Sequence, residues 1–399
     1  MRDAVIIGAV RSAVGRRNGS FKDTHPVSML GDTLNALFEK TGVDPALVDD
    51  AIGGCVSQVG EQAYNVTRNA WLNAGLPEQV PATSVDRQCG SSQQAAHFAA
   101  QAVLSGSQDL VVACGVENMS RVPMGSSAAG GWPFPQAMMD RYEGNLVPQG
   151  ISSEMIAAKW GIERSQVDEL GLRSQELAQA ATREGRFSEQ IVPLKVTVGG
   201  EQKLVETDEG LREGTTLEKL NSLKPAFYTE ELAKRFPDLK WVTTAGNSSQ
   251  ISDGASALLI TTSEKARELG VKPLARFHAM SVAADDPVLM LTAVIPATKK
   301  VLEKAGLGLQ DIDAAEVNEA FASVVLAWKK DLGVDEAWFE RVVNPNGGAI
   351  ALGHPLGASG GRLMVTLVHE LHRRGGRWGL QTMCEGGGMA NATVLERLD

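Results

Sequence analysis

Cysteine is scarce in this chain: four residues in 399, Cys55, Cys89, Cys114 and Cys384, with none of the close spacing of a metal site. So few and so far apart, they make no disulfide framework and read as free thiols of a reducing compartment. Net positive charge is lacking too. With 48 acidic against 38 basic residues, the formal charge is -10. That argues against nucleic acid or an anionic membrane as the general partner, and an anionic ligand would need a local cationic patch. No apolar run approaches the ~18 residues of a membrane span. The N-terminus runs from an apolar strand pattern, Ala4 to Val10, into basic residues. A secretory signal has the reverse order, so the expectation is a cytoplasmic protein.

What the chain does have is alternation. Strand-like runs ("AVIIGAV", "DLVVACGV", "SALLIT", "GLQTMCEGG") are separated by amphipathic helical ones such as "MLGDTLNALFEKTG". This predicts an α/β fold with helices covering buried sheets, in two or three domains. "FEKTGVDPALVDDAI" at 38 to 52 echoes "LEKAGLGLQDIDAAE" at 302 to 316, which points to a duplicated half. On that register the "strand, Cys, Gly" stretches "VVACGVENMS" and "QTMCEGGGMA" correspond. The expected division is 1–120 as an N-terminal half completed by about 250–270, 121–249 as an inserted loop domain, and 271–399 as a C-terminal half. An insertion projecting from packed sheets commonly builds a ligand site.

Four stretches carry chemistry. In "DRQCGSSQQAAHFAA" Cys89 precedes a helix that is apolar nearly all round and therefore buried. The positive end of such a helix would draw the thiol pKa from about 8.5 toward neutrality and make a nucleophile of it; a buried structural cysteine is the alternative. "NPNGGAIALGHPLGASGGRL" sets six glycines around His354, too many for a regular element, so a loop allowing close backbone approach to a ligand is expected. "CEGGGMA" offers Cys384 as an acid/base and bare backbone N–H donors, or else a glycine turn with a bystander thiol. In "EVNEAFAS", Asn318 at a strand-to-helix junction is either an N-cap or a catalytic donor. Together they supply what nucleophilic acyl transfer needs: a nucleophile, its base and donors for an oxyanion.

In order along nearly the whole chain, "DRQCGSS", "GNSSQISDGASA", "NEAFAS", "NPNGGAIALGHPLGASG" and "CEGGGMA" resemble the motifs of the thiolases. The resemblance implies a duplicated fold of two mixed five-stranded sheets with helices in layers (α-β-α-β-α). It implies an acyl-thioester on Cys89, activation by His354 with a water held by Asn318, Cys384 as acid/base, and an oxyanion hole from the N–H groups of Cys89 and Gly386. Coenzyme A is implied as a substrate rather than a tightly bound cofactor, with Arg212, Lys219, Phe227 and Ser249 at its site and no metal. Pro148-Gln149-Gly150 stands where acetoacetyl-CoA thiolases read His-Met-Gly and resembles the degradative 3-ketoacyl-CoA branch, steroid breakdown included. Asp86 replaces a usual asparagine. The implied activity is cleavage of longer or bulkier 3-oxoacyl-CoA. Acetoacetyl-CoA chemistry, another condensing enzyme of the same fold, or a non-catalytic CoA-ester binder are the alternatives; two thiols disfavour the binder. Acyl-CoA and CoA are the expected partners, with no nucleic acid or membrane, and the implied assembly is a homodimer or homotetramer.

Overall fold

Strand β1, Val5–Arg11, is buried along its full length. Its side chains divide between two cores, the two-residue alternation of a strand being shifted by one at the irregularity between Ile6 and Gly8. Val5, Ile7 and Val10 pack with Met29, Leu30, Leu34 and Leu37 of the helix Pro26–Thr41. Ile6 and Ala9 face Ala95, Ala99 and Val103 of Ser91–Ser105 and Met364, Val365 and Val368 of Leu356–Arg374. A strand apolar on both faces belongs inside a sheet covered on both sides. The third core covers the far face of the C-terminal sheet, where Val294, Val301, Val324 and Trp328 pack on Ala315, Val317, Leu380 and Val394. Five layers result, helix, sheet, helix, sheet, helix.

The computed structural model describes residues 2–399. After β1 come β2 (Gly15–Arg16), β3 (Asp50–Gly54), β4 (Ala82–Val85), β5 (Leu110–Asn118), β6 (Leu194–Val198), β7 (Glu201–Val205), β8 (Ser252–Thr261), β9 (Ala275–Ala284), β10 (Ala314–Val317), β11 (Trp378–Glu385) and β12 (Met389–Arg397). The N-terminal strands run β4-β3-β5-β8-β1 and the C-terminal ones β10-β11-β12-β9. The parallel bridge Ala315↔Val343 stands beside β10 where β4 stands beside β3. Both halves therefore carry one strand order, and the duplication heard in the sequence is a fact of topology. The two sheets are also joined: β1 and β9 pair at Val5↔Arg276 and Ile6↔Ala275, giving one 10-stranded sheet that includes β2. The expected pair of five-stranded sheets thus shares an edge, and the fifth C-terminal strand shrinks to that one bridge, because "NPNGG" turns away after Val343.

Between β5 and β8 the chain leaves the sheet. It forms the helices Gln149–Lys159 and Arg164–Arg183, the hairpin β6/β7 and four shorter helical pieces. No helix among the described residues is long and apolar enough to cross a membrane.

At the centre, Ser91–Ser105 and Leu356–Arg374 lie against each other. A Cβ at Gly360 would collide with the backbone N of Gln93, and one at Gly361 with Ser256 Oγ. The Gly361 N–H donates to Ser92 Oγ at 2.8 Å. Here the structure corrects the loop expected over 344–363. Leu356–Arg374 is helical and Ala349–Leu352 a short helix, and Gly357, Gly360 and Gly361 serve close packing of that helix on the neighbouring strands and helix rather than approach to a ligand. Phe98, read as buried, is 40% exposed, so one side of Ser91–Ser105 reaches the surface. Gly360→Val should force the two helices apart. Overpacking of this kind costs about 1–3 kcal/mol, so the thermal midpoint should fall by several degrees, as circular dichroism would record.

Candidate active site

Each central helix begins at the same place, and the residue ahead of it is a candidate for chemistry. Cys89 stands before Ser91–Ser105 and His354 before Leu356–Arg374. The turn into Cys89 is built locally. Gln88 takes φ 46, a left-handed conformation that a non-glycine residue adopts only under constraint. Asp86 Oδ1 accepts the Gln88 N–H at 2.7 Å, and Ser91 Oγ accepts that of Arg87 at 2.9 Å while donating to Gln88 O. The unusual aspartate is thus an Asx-turn acceptor that shapes the approach to the thiol.

His354 is held by its own helix. Ser359 Oγ donates to Pro355 O, which leaves it to accept the Nδ1–H of His354. Nε2 is then the free lone pair, and Asn318 Nδ2 points at it from 3.4 Å. The same Asn318 amide lies near enough to the Cys384 thiol to lower its proton affinity, and the charge of Cys89 raises it. Cys89, His354, Asn318 and Cys384 are all buried and come from four separate segments; Cys89 and His354 stand at helix starts rather than at the equivalent strand ends expected. The N–H groups of Cys89 and Gly386 make no hydrogen bond to the described residues.

Burial governs the titration here. It pushes the Cys89 thiol up to about 12, with the Glu385 carboxylate adding to the rise, and it pushes Cys384 up as well. His354 is pushed down to about 3, by burial first and the Arg362 guanidinium second. The expected low thiol pKa at a helix start is therefore overturned. The helix field is present, but removal from water outweighs it, and the Glu385 carboxyl at the same helix end adds to the rise where it is ionised. At rest the pair is a neutral thiol and a neutral imidazole.

Cys89 opens on a hollow of about 380 Å³ lined also by Val56, Met124, Pro148, Gln149, Phe227 and Phe321. Pro148, Gln149 and Phe227 thus share one space with Cys89. Arg212 and Ser249 line a second hollow of about 520 Å³, together with Arg16, Arg17 and Gln250. The Gln250 carbonyl accepts the His354 N–H at 3.3 Å, so this hollow abuts the histidine loop. Lys219 lines neither; its Nζ donates to Gly214 O at 2.6 Å. Among the described residues no group of three or more His, Cys, Asp or Glu could hold a metal ion.

Over residues 4–264 and 271–397 the chain matches the descriptions "Thiolase, N-terminal domain" and "Thiolase, C-terminal domain". It belongs to the thiolase family. Among curated relatives, a protein of Mycobacterium tuberculosis named "Steroid 3-ketoacyl-CoA thiolase FadA6" is 47% identical over 406 residues, covering 100% of this chain and 95% of the relative. A "3-ketoacyl-CoA thiolase" of Marinobacter nauticus is 42% identical, covering 100% and 99%. Among solved structures, the Bacillus anthracis acetyl-CoA acetyltransferase superposes with a TM-score of 0.88 at 38% identity, covering 100% of this chain and 99% of that one.

Sequence reasoning missed the carboxylates that brace this thiolase's site. Buried Glu117 accepts the N–H groups of Val56, Ser57 and Gly357 and Gln62 Nε2, all at 2.8–3.0 Å. It ties the β3 exit to the start of the histidine helix. Glu319 does likewise for "NPNGG", accepting from Ser174, Asn344 and the Ile350 N–H. Asn344 (φ 46) pairs with both backbone groups of Val317, fixing the strand end that carries Asn318. A glutamate directly after "GV" or "VN" in an apolar run is the only trace they leave in the sequence. The expected correspondence of "VVACGVENMS" with "QTMCEGGGMA" does not set the two cysteines at one station, for Cys114 is mid-strand opposite Ala257 while Cys384 is one residue from its strand end. Because the resting thiol is neutral, iodoacetamide alkylation of Cys89 should climb steadily from pH 7 to 10 with no plateau. A plateau near neutral pH, read by peptide mass spectrometry, would contradict the burial argument.

Proposed function

We propose that the protein cleaves 3-oxoacyl-CoA thiolytically, through an acyl-thioester on Cys89. Family membership makes it an acyltransferase, and thiolases use coenzyme A as a substrate. One observation carries the assignment of roles: a single amide, Asn318, reaches both the His354 lone pair and the Cys384 thiol, with Cys89 coupled to Cys384 across the same buried space.

In this reading the Cys89 proton passes to His354 Nε2 as the sulfur bonds to C3 of the substrate. A depressed imidazole is a weak base, so transfer is concerted with attack rather than preceding it. The C2–C3 bond then breaks, its electron pair goes to C2, and Cys384 gives that carbon its proton, releasing acetyl-CoA. Incoming CoA loses its thiol proton to the Cys384 thiolate and attacks the acyl carbonyl. Cys89 sulfur leaves and recovers its proton from His354. The unengaged N–H groups of Cys89 and Gly386 are the donors for the tetrahedral oxyanion. Asn318 Oδ1, buried without a donor, is an acceptor suited to a water that would help His354 polarise the thioester oxygen.

For coenzyme A, Phe227 flanks the pantetheine arm, Ser249 bonds it and Arg212 meets the nucleotide end. Lys219 contributes charge only. Pro148 and Gln149 bound the acyl pocket, and the 380 Å³ hollow supports acyl groups longer or bulkier than acetyl, steroid-derived ones among them. A cytoplasmic homodimer or homotetramer is proposed as the working form, and the exposed Phe98 and Leu104 on one helix are compatible with assembly.

Cys89→Ala should abolish acyl-enzyme formation, while Cys384→Ala should still be acylated yet lose at least about a hundredfold in carbon-carbon cleavage, the scale of a general acid. Intact mass after exposure to acyl-CoA decides it; an acylated Cys89→Ala protein would remove the nucleophile from the scheme. Across 3-oxoacyl-CoA substrates from four carbons to sterol-sized, kcat/KM should rise with acyl size, and a maximum at acetoacetyl-CoA would favour the short-chain alternative.

A further inference from the structure

The two halves set a glutamate at one shared station. β5 ends in Glu117-Asn118 and its counterpart β11 ends in Cys384-Glu385. Each glutamate reaches across to the start of the other half's central helix. Glu117 Oε2 takes the Gly357 N–H at 2.9 Å, and a Cβ on Gly357 would stand 2.8 Å from that oxygen. Glu385 Oε1 occupies the place a Cβ on Gly90 would take. The glycines that follow His354 and Cys89 are thus the seats of the opposite carboxylates.

The two differ in how they are held. Glu117 has four donors. Glu385 is fully buried and neither of its oxygens has any partner. Nothing in packing calls for a free buried carboxyl at this point, since an unpartnered charge is costly and an apolar residue would fill the space. The Cys89 sulfur sits at the same helix end, and the Glu385 charge acts on it.

We propose that Glu385 is a positioning residue for the nucleophile: its carboxyl, when ionised, competes with the Cys89 thiolate for the positive end of the helix Ser91–Ser105 and so restrains thiolate formation at alkaline pH. The proposal rests on the reading of Cys89 as the nucleophile. The charged and titratable groups around Glu385 are Asp86 and Arg87 from the turn before Cys89, Cys89 itself, and Cys384 beside it on β11; Glu117 acts on the same sulfur from β5. From β12 comes Asn391, uncharged, whose Nδ2 donates to Gly90 O at 3.0 Å. Burial lifts Glu385 to about 8, with Arg87 opposing and Asp86 assisting. Below that pH the carboxyl is neutral and leaves the thiol alone; above it, the carboxylate suppresses the thiolate.

The test compares iodoacetamide alkylation of Cys89 in the wild type, Glu385→Gln and Glu385→Asp from pH 6 to 10, with the labelled residue identified by peptide mass spectrometry. The rate ratio of Glu385→Gln to wild type should be near one at pH 6 and rise to about tenfold above pH 9, the equivalent of one pKa unit in the thiol. Glu385→Asp, which keeps the charge, should stay within about threefold of wild type throughout. A ratio that does not change with pH, or a Glu385→Asp variant that behaves as Glu385→Gln does, would make the side chain a spacer and overturn the inference. Labelling of a cysteine other than Cys89 in the wild type would instead overturn the assignment of the nucleophile, and this inference with it.

Discussion

The contact between the helices Ser91–Ser105 and Leu356–Arg374 is the constraint on which the rest depends. Gly360 lets the two backbones approach until Gln93 fills the space a side chain would need, and the Gly361 N–H donates to Ser92 Oγ across the contact. Because the helices belong to different halves and both start on the same side of the molecule, this approach alone brings residues 89 and 354 to one place. The strand ends carrying Asn318 and Cys384 follow, since their sheet is packed on the same helix pair. Loosening that contact would separate the groups without altering any one of them.

A buried site of this kind must account for its polar atoms, and most are accounted for by the bracing carboxylates. Glu117 and Glu319 each gather backbone N–H groups of chain that would otherwise be an unsatisfied loop. Charge–amide hydrogen bonds are stronger than neutral ones, which suits them to hold the glycine-rich turns still. The atoms left over are informative by contrast. Asn318 Oδ1, both oxygens of Glu385 and the Arg362 guanidinium are among the atoms buried without partners; Asn318 faces His354, Glu385 stands over Gly90 beside Cys89, and the Arg362 charge acts on His354.

Electrostatics at the site inverts the simple picture of a helix end activating a thiol. Taking the sulfur out of water raises its proton affinity more than the helix field lowers it, and taking the imidazole out of water does the reverse. At rest the proton stays on sulfur and the imidazole is neutral, so in the proposed reaction proton transfer goes with bond formation rather than ahead of it. Such an arrangement protects a thiol from stray electrophiles at the price of demanding close alignment when it reacts.

Sequence by itself determined the alternation of elements and the duplication and singled out the candidate reacting groups, because each is a local pattern: period-two apolar runs, an echo between 38–52 and 302–316, and cysteine or histidine set among glycines. It also located Pro148, Gln149 and Phe227, which do share the hollow with Cys89. Tertiary structure alone decided what the glycines of "LGASGG" are for, since a glycine that admits a ligand and one that admits a helix read alike. It alone decided the protonation of Cys89, because desolvation depends on what covers a group and not on what precedes it in the chain. Glu117 and Glu385 were invisible as a pair for the same reason: their correspondence exists only across the two halves, where strands and helices far apart in sequence are folded into register.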